Sequence, residues 1–233
     1  MPTRAKEKFR TYHGVFDEFT NRTIFKLITE GHFDGIIGPL STGKEAMVFQ
    51  AKKGNSKVAV KVYRLENCDF NRMYDYIKYD PRFLDLKKQK RKVIFAWCQR
   101  EYRNLLKARE ASVKAPIPIT FQNNILVMEF IGGEDAAPKL KDRIPKDNKE
   151  FFKKITTGIK NLYKADMVHT DLSSFNILNH EETPVIIDWS QATSLKNPNS
   201  KGYLARDIKN ICNFFRRQGL KIEEEKILDE ATR

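Results

Sequence analysis

Cysteine is scarce in this chain of 233 residues. The three that occur, Cys68, Cys98 and Cys212, form no CxxC pair and show no metal-ligand spacing, and an odd number cannot all pair within one chain. A disulfide scaffold and a zinc module are excluded as sources of stability, and Cys98 and Cys212 are expected as reduced core thiols. Long apolar runs are missing too: nothing approaches the roughly 20 residues that cross a bilayer. Residues 1–8 lack the apolar centre of a secretory signal, so a cytoplasmic protein with no membrane contact is expected. Internal repeats and low-complexity linkers are absent as well, and neither serine nor threonine occurs between Ser56 and Ser112.

Charge, by contrast, is abundant and one-sided. Charged residues make up 31% of the chain, apolar residues 40%, and the net charge is +13. The balance suits a globular protein of one large domain or two lobes sharing a cleft, burying roughly 70% of its unfolded surface. The basic excess creates a field that draws polyanions, which makes RNA, DNA or a ribonucleoprotein an expected partner.

Period-2 patterning comes early. Residues 46–51 and 58–63 alternate around Gly54 and Asn55, which predicts a β-hairpin. Residues 66–91 break that pattern with charged and aromatic residues and end in the basic run Lys87–Lys92, so a charged and flexible insert is expected there. Nearby Phe70, Tyr74, Tyr76 and Tyr79 offer stacking surfaces for RNA. Apolar residues then fall on one helical face from Val93 to Arg109. Strands are predicted over 117–121 and 125–131, with Gly132 and Gly133 leading into a linker between lobes. Helices are predicted over 148–164, 203–217 and 221–228, the last two separated by Gly219.

The chemistry concentrates in His169-Thr170-Asp171-Leu172-Ser173-Ser174-Phe175-Asn176, followed by Pro184-Val185-Ile186-Ile187-Asp188. An Asp, an Asn five residues on, and a second Asp closing an apolar strand are the parts that orient a hydroxyl and hold magnesium on ATP in phosphoryl transfer. Taken alone, Asp171 is an ordinary helix cap and Asp188 an ordinary turn residue; the order and spacing of the three carry the inference. Val58-Ala59-Val60-Lys61 has the form of the strand that brings a lysine to the phosphates, and Glu101, set among Trp97, Cys98, Tyr102 and Leu105, is its expected ion-pair partner. Glu110, at the helix end, is a poorer candidate. His169 is expected to brace the loop.

The stretch Gly38–Glu45 fits GxxxxGK, but Glu45 replaces the hydroxyl residue that holds magnesium in a P-loop. An alternating strand also follows where a P-loop would open a helix. A strand–turn–strand phosphate cover fits better, with backbone N–H groups near Ser41, Thr42 and Gly43 facing the phosphates, Lys44 beside them, and Val48 packing over the base.

Ser41-Thr42-Gly43-Lys44-Glu45-Ala46, Val60-Lys61-Val62-Tyr63-Arg64, Met128-Glu129-Phe130-Ile131-Gly132, the loop 169–176 and Ile187-Asp188-Trp189-Ser190-Gln191 together resemble the RIO family of atypical serine/threonine protein kinases. The phosphate loop and the Asp-x-Ser-Gln stretch are closer to its first subfamily, of archaeal character. The second subfamily carries an N-terminal winged helix, for which the roughly 35 residues before the phosphate loop are too few.

The resemblance implies an α+β, two-lobed, protein-kinase-like fold with a trimmed second lobe, without the activation segment and peptide-docking helices. Domains are expected as an N-terminal helical extension over 1–35, an N-lobe over 36–131 containing the insert 66–91, and a C-lobe over 132–233. ATP with Mg2+ or Mn2+ is the implied cofactor set. Asp171 is implied as catalytic base, Asn176 and Asp188 as metal ligands, Lys61 with Glu101 as ion pair, and Met128, Glu129 and Ile131 as the adenine hinge. ATP hydrolysis through a phosphorylated Asp188 and autophosphorylation are implied activities. The implied partner of this presumed monomer is the precursor of the small ribosomal subunit, with its rRNA and ribosomal proteins.

Past Asp188 the chain has Trp-Ser-Gln where ordinary kinases have Phe-Gly, and no Ala-Pro-Glu follows, which favours ATPase or autophosphorylation over broad protein phosphorylation. Family members autophosphorylate a serine in the insert, which this chain lacks there. Two rival classes are a nucleotide-switched RNA- or ribosome-binding protein and a small-molecule phosphotransferase. The latter usually needs a longer helical region than the roughly 45 residues left after Asp188.

Overall fold

The alternating stretches pair as expected, inside a larger sheet. Strands β1 (Gly35–Thr42), β2 (Ala46–Lys53), β3 (Ser56–Tyr63), β4 (Pro118–Gln122) and β5 (Ile125–Glu129) form an antiparallel sheet of order β1-β2-β3-β5-β4. The computed structural model describes residues 16–66 and 68–233, so the first part of the extension expected over 1–35 lies outside the described residues. Phe49 stands opposite Val60, and Val60 opposite Val127. Directly opposed residues share a face, so these three project together. Helix α1 (Glu18–Thr29) covers that face, packing Ile24 and Leu27 with Phe33, Phe49, Val60 and Val127. Each such side chain contributes roughly 1.5–3 kcal/mol by leaving water. Asp17 caps α1 by accepting from Thr20 N at 2.9 Å, and the buried Asn124 amide donates both to Thr20 Oγ1 and to Tyr63 O, pinning the β4–β5 turn to helix and sheet.

Two elements stand inside the charged insert: α2 (Phe70–Ile77), which buries Met73 and Ile77 one turn apart, and a 3₁₀ turn at Pro81–Phe83. Helix α3 (Lys90–Glu110) begins three residues before the predicted start at Val93. The basic run is engaged locally, with the Lys88 ammonium 5.4 Å from the Tyr74 ring and the Arg91 guanidinium 5.3 Å from that of Phe19.

The packing divides into two compact units that alternate along the chain. Of the described residues, one comprises those up to Ile77, Asp85–Tyr102 and Pro118–Phe130; the other comprises Lys78–Leu84, Arg103–Ile117 and Ile131–Arg233. A sequence reading of contiguous lobes misses the two early segments of the second unit, whose partners come later in the chain. That unit contains α4 (Asn148–Lys164), the hairpin of β6 (Ile177–His180) and β7 (Thr183–Ile186), α5 (Ser200–Arg217) and α6 (Glu224–Thr232). Asp147 caps α4 by accepting from Glu150 N, and Phe151, Ile155, Ile159 and Leu162 form its buried stripe. Gly132 enters this unit at φ +148, and a Cβ there would lie 2.9 Å from Ala136 Cα, so only glycine fits the turn. All three cysteines are buried free thiols, and burial pushes Cys212 up to about 11, where it stays protonated.

Candidate active site

In the first unit, register places the predicted nucleotide residues on the sheet face opposite the α1 core. Ser41 pairs with Val48, Val48 with Lys61, and Ala59 with Met128. Lys61 is 6% exposed and its ammonium lies 2.8 Å from Glu101 Oε1 on α3. Tyr63 Oη donates to the other carboxylate oxygen of Glu101, a partner that the sequence reading missed. Burying both charges is tolerable only because each is paired and hydrogen-bonded. At the phosphate turn the structure corrects an expectation. The Gly43 N–H donates to Ala46 O at 2.9 Å, so it closes the β1–β2 turn instead of facing outward. Glu129 ends β5 opposite Val58. Ile131 O accepts from Ala137 N in the second unit.

In the second unit, the Asn176 amide donates to Asp171 twice, to its backbone oxygen at 2.8 Å and to Oδ2 at 3.0 Å. Asn176 O in turn accepts from Ile187 N at 2.9 Å, continuing the β6–β7 ladder to the residue before Asp188. One hairpin thereby brings Asp171, Asn176 and Asp188 to the same end. Ser190 Oγ donates to Asp188 Oδ1 at 3.0 Å. His169 bridges the two segments of the motif: Nδ1 accepts from Asp171 N at 3.3 Å while Nε2 lies 3.1 Å from Ile187 O. A neutral ring with its proton on Nε2 satisfies both contacts.

Two residues of this site sit in left-handed backbone, Thr170 at φ 72 and Asp188 at φ 63. For a β-branched residue that is an unfavourable conformation, and it persists where the surroundings impose it. Here the imposing groups come from α5. Asp207 accepts from Thr170 N at 2.7 Å and from Leu172 N at 2.9 Å, and Arg206 Nη2 donates to Thr170 O. Asn104 on α3 likewise fixes the chain after Asp188, donating to Trp189 O and Ala192 O, each at 2.9 Å.

Asp207 is 1% exposed, and burial pushes its carboxyl from 3.8 to about 7, against the two N–H donors. Arg206 opposes the rise and the charge on Asp171 adds to it. Between those pH values the folded protein holds a proton that the unfolded chain has released, so stability falls as pH rises. Wild type should therefore lose up to about 4 kcal/mol relative to Asp207→Asn between pH 4 and pH 8, from 1.36 kcal/mol per pH unit. Thermal melts of both proteins across that range read the difference, and parallel curves would remove the assignment.

Asn176 has its amide nitrogen committed to Asp171, which turns Oδ1 to the other side as an acceptor, and Asp188 adds carboxylate oxygens. Such hard oxygen donors fit Mg2+, which takes few protein ligands beside those from phosphates.

A buried lysine–glutamate pair on an antiparallel sheet in one unit, and an Asp–Asn–Asp hairpin end in the other, define the class: a protein-kinase-like phosphotransferase fold. Comparison with known proteins gives the family. The RIO domain model matches residues 47–227. The chain is 44% identical over 214 residues to RIO-type serine/threonine-protein kinase Rio1 of Methanocaldococcus jannaschii, covering 91% of this chain and 73% of that protein. It is 38% identical over 234 residues to the Rio1 kinase of Haloferax volcanii, covering 100% of this chain and 81% of that one. The chain belongs to the RIO family of serine/threonine-protein kinases, and both of these archaeal relatives are Rio1 kinases. In fold it matches the Rio2 kinase of Chaetomium thermophilum in its ADP/Mg2+-phosphoaspartate complex, with TM-score 0.65 and 20% identity, covering 90% of this chain and 65% of that one. Among the described residues, no helix is long and apolar enough to cross a membrane.

Proposed function

We propose that this chain is an ATP-dependent kinase and ATPase of the RIO type, which autophosphorylates and acts in maturation of the small ribosomal subunit in the cytoplasm. The observation that carries the phosphoryl-transfer part is the Asn176 amide, bonded to Asp171 on one side and fixed by the hairpin beside Asp188 on the other. In this reading Lys61, held by Glu101, contacts the ATP phosphates, and Asp171 accepts the proton of an attacking hydroxyl. Val48, Met128 and the hinge at Glu129 and Ile131 hold the base. Asn176 and Asp188 would hold Mg2+, which would neutralise phosphate charge, and Mn2+ suits the same oxygens.

ATP hydrolysis runs through Asp188. Its carboxylate oxygen bonds to the γ-phosphorus as the bond to the bridging oxygen breaks and ADP leaves; water then attacks phosphorus, releasing inorganic phosphate and restoring the carboxylate. The phosphoaspartate complex of the Rio2 structural neighbour supports this step. For the partner, the net charge of +13 and the run Lys87–Lys92 support contact with rRNA phosphates, alongside ribosomal proteins.

Incubation with γ-labelled ATP and Mg2+ tests the chemistry. Protein-bound label should be released by hydroxylamine and be absent from Asp188→Ala. Acid-stable label alone would replace the aspartyl route with hydroxyl autophosphorylation, and ATP binding without turnover would leave a nucleotide-switched binding protein.

A further inference from the structure

A groove of about 350 Å³ opens on the second unit, and no residue of the 169–176 loop lines it. It lies between α4, the turn after α3 at 112–114, and β7. Val113, Ile155, Pro184 and Ile186 are buried and make its floor apolar. Lys114, Lys153 and Lys154 stand exposed around it, with Glu150 the one carboxylate in the lining. Lys154 Nζ also donates to Glu182 O at 3.3 Å.

Gly158 gives the groove its depth. It sits in the interior of α4, where glycine is the worst residue short of proline. A close approach would explain it, yet a Cβ at Gly158 would meet nothing nearer than the Val113 methyls at 3.8 and 3.9 Å, ordinary van der Waals contact. Internal packing does not require glycine here. What its missing side chain does is keep the floor open.

We propose that this groove docks a protein segment bearing an aliphatic side chain flanked by acidic residues. The apolar floor takes the side chain, and the lysine rim complements the carboxylates. Nucleic acid fits less well, because no lining residue is aromatic and a base would find no ring on which to stack. The proposal does not depend on the catalytic reading above, since docking is read without turnover.

The test is fluorescence anisotropy with the full chain and three labelled probes: a short peptide with one leucine among glutamates, its counterpart with lysines, and oligo-uridine. The acidic peptide should bind saturably and the lysine peptide about tenfold or more weaker. Gly158→Leu, which fills the groove, should cost about tenfold or more in affinity for the acidic peptide. Gly158→Ala should cost less while raising the melting temperature, and the double charge reversal Lys153→Glu, Lys154→Glu should weaken binding with the groove intact. If Gly158→Leu does not fold, the alanine and charge-reversal variants decide. Unchanged peptide affinity in the variants, equal binding of the two peptides, or Gly158-dependent binding of oligo-uridine alone would overturn the proposal.

Discussion

Replacing Asp171 with alanine should lower phosphoryl transfer about a thousandfold while leaving Mg-ATP affinity within a few-fold of wild type. The rate loss follows from removing a positioned base, an effect that spans roughly 10²–10⁴. The retained affinity follows from geometry. Asn176 bonds Asp171 through both the side chain and the backbone oxygen, and the 2.8 Å backbone bond survives the substitution, keeping Oδ1 aimed as before. Asn176→Ala should show the reverse order of effects, with Mg-dependent nucleotide affinity lost first. Single-turnover rates and nucleotide titrations on both variants separate the roles. A rate within tenfold of wild type for Asp171→Ala would remove this residue as the base.

Glu101→Ala should be the most destabilising single change in the first unit. It removes the carboxylate bonded by both the Lys61 ammonium, 6% exposed, and the Tyr63 hydroxyl. Breaking a buried pair from one side costs about 3–5 kcal/mol because the remaining charge loses the counter-charge that offset its burial. At roughly 2–4 °C per kcal/mol for a chain of this size, the melting temperature should fall by about 6–20 °C. Glu101→Gln keeps an acceptor and should cost less. The double variant Lys61→Met, Glu101→Leu replaces the pair with apolar groups and should recover much of the stability yet transfer no phosphate. Should that double variant melt as low as Glu101→Ala, the loss lies in packing and not in the broken ion pair.

Much of this site was legible because its residues sit in local patterns. Lys61 sits within an alternating strand, Glu101 shares a helix face with Trp97 and Leu105, and Asp171, Asn176 and Asp188 hold a short, ordered spacing. The two-strand pairing around Gly54 and the span of α4 were readable for the same reason, since periodicity and capping are short-range. What escaped was long-range or backbone-based. Asp207 lies 37 residues from Thr170 and on sequence alone is one more polar residue in an amphipathic helix. Asn104 acts 85 and 88 residues away, and nothing nearby marks it. Tyr63 reads as an ordinary strand aromatic until Glu101 is placed beside its hydroxyl. The left-handed Thr170 runs against its residue type, so propensity pointed the wrong way. Helix α2 was hidden by charged neighbours, although Met73 and Ile77 at one-turn spacing were a usable signal.

The interleaving of the two units sets the order in which synthesis can complete them. Residues 103–117 belong to the second unit but are made before any part of 131–233 exists. At 5–20 residues per second, Asn104 waits on the order of ten seconds for the carbonyls of Trp189 and Ala192 to be made. Leu105 and Ala108, 1% and 0% exposed in the finished protein, spend that interval without their later partners. A released fragment ending at Phe130 therefore carries every segment of the first unit together with an apolar half-helix cut off from the rest of its own unit, a surface on which chaperones would act. For the same reason a gene cut between Phe130 and Ile131 yields two fragments, neither of which encodes the second unit whole.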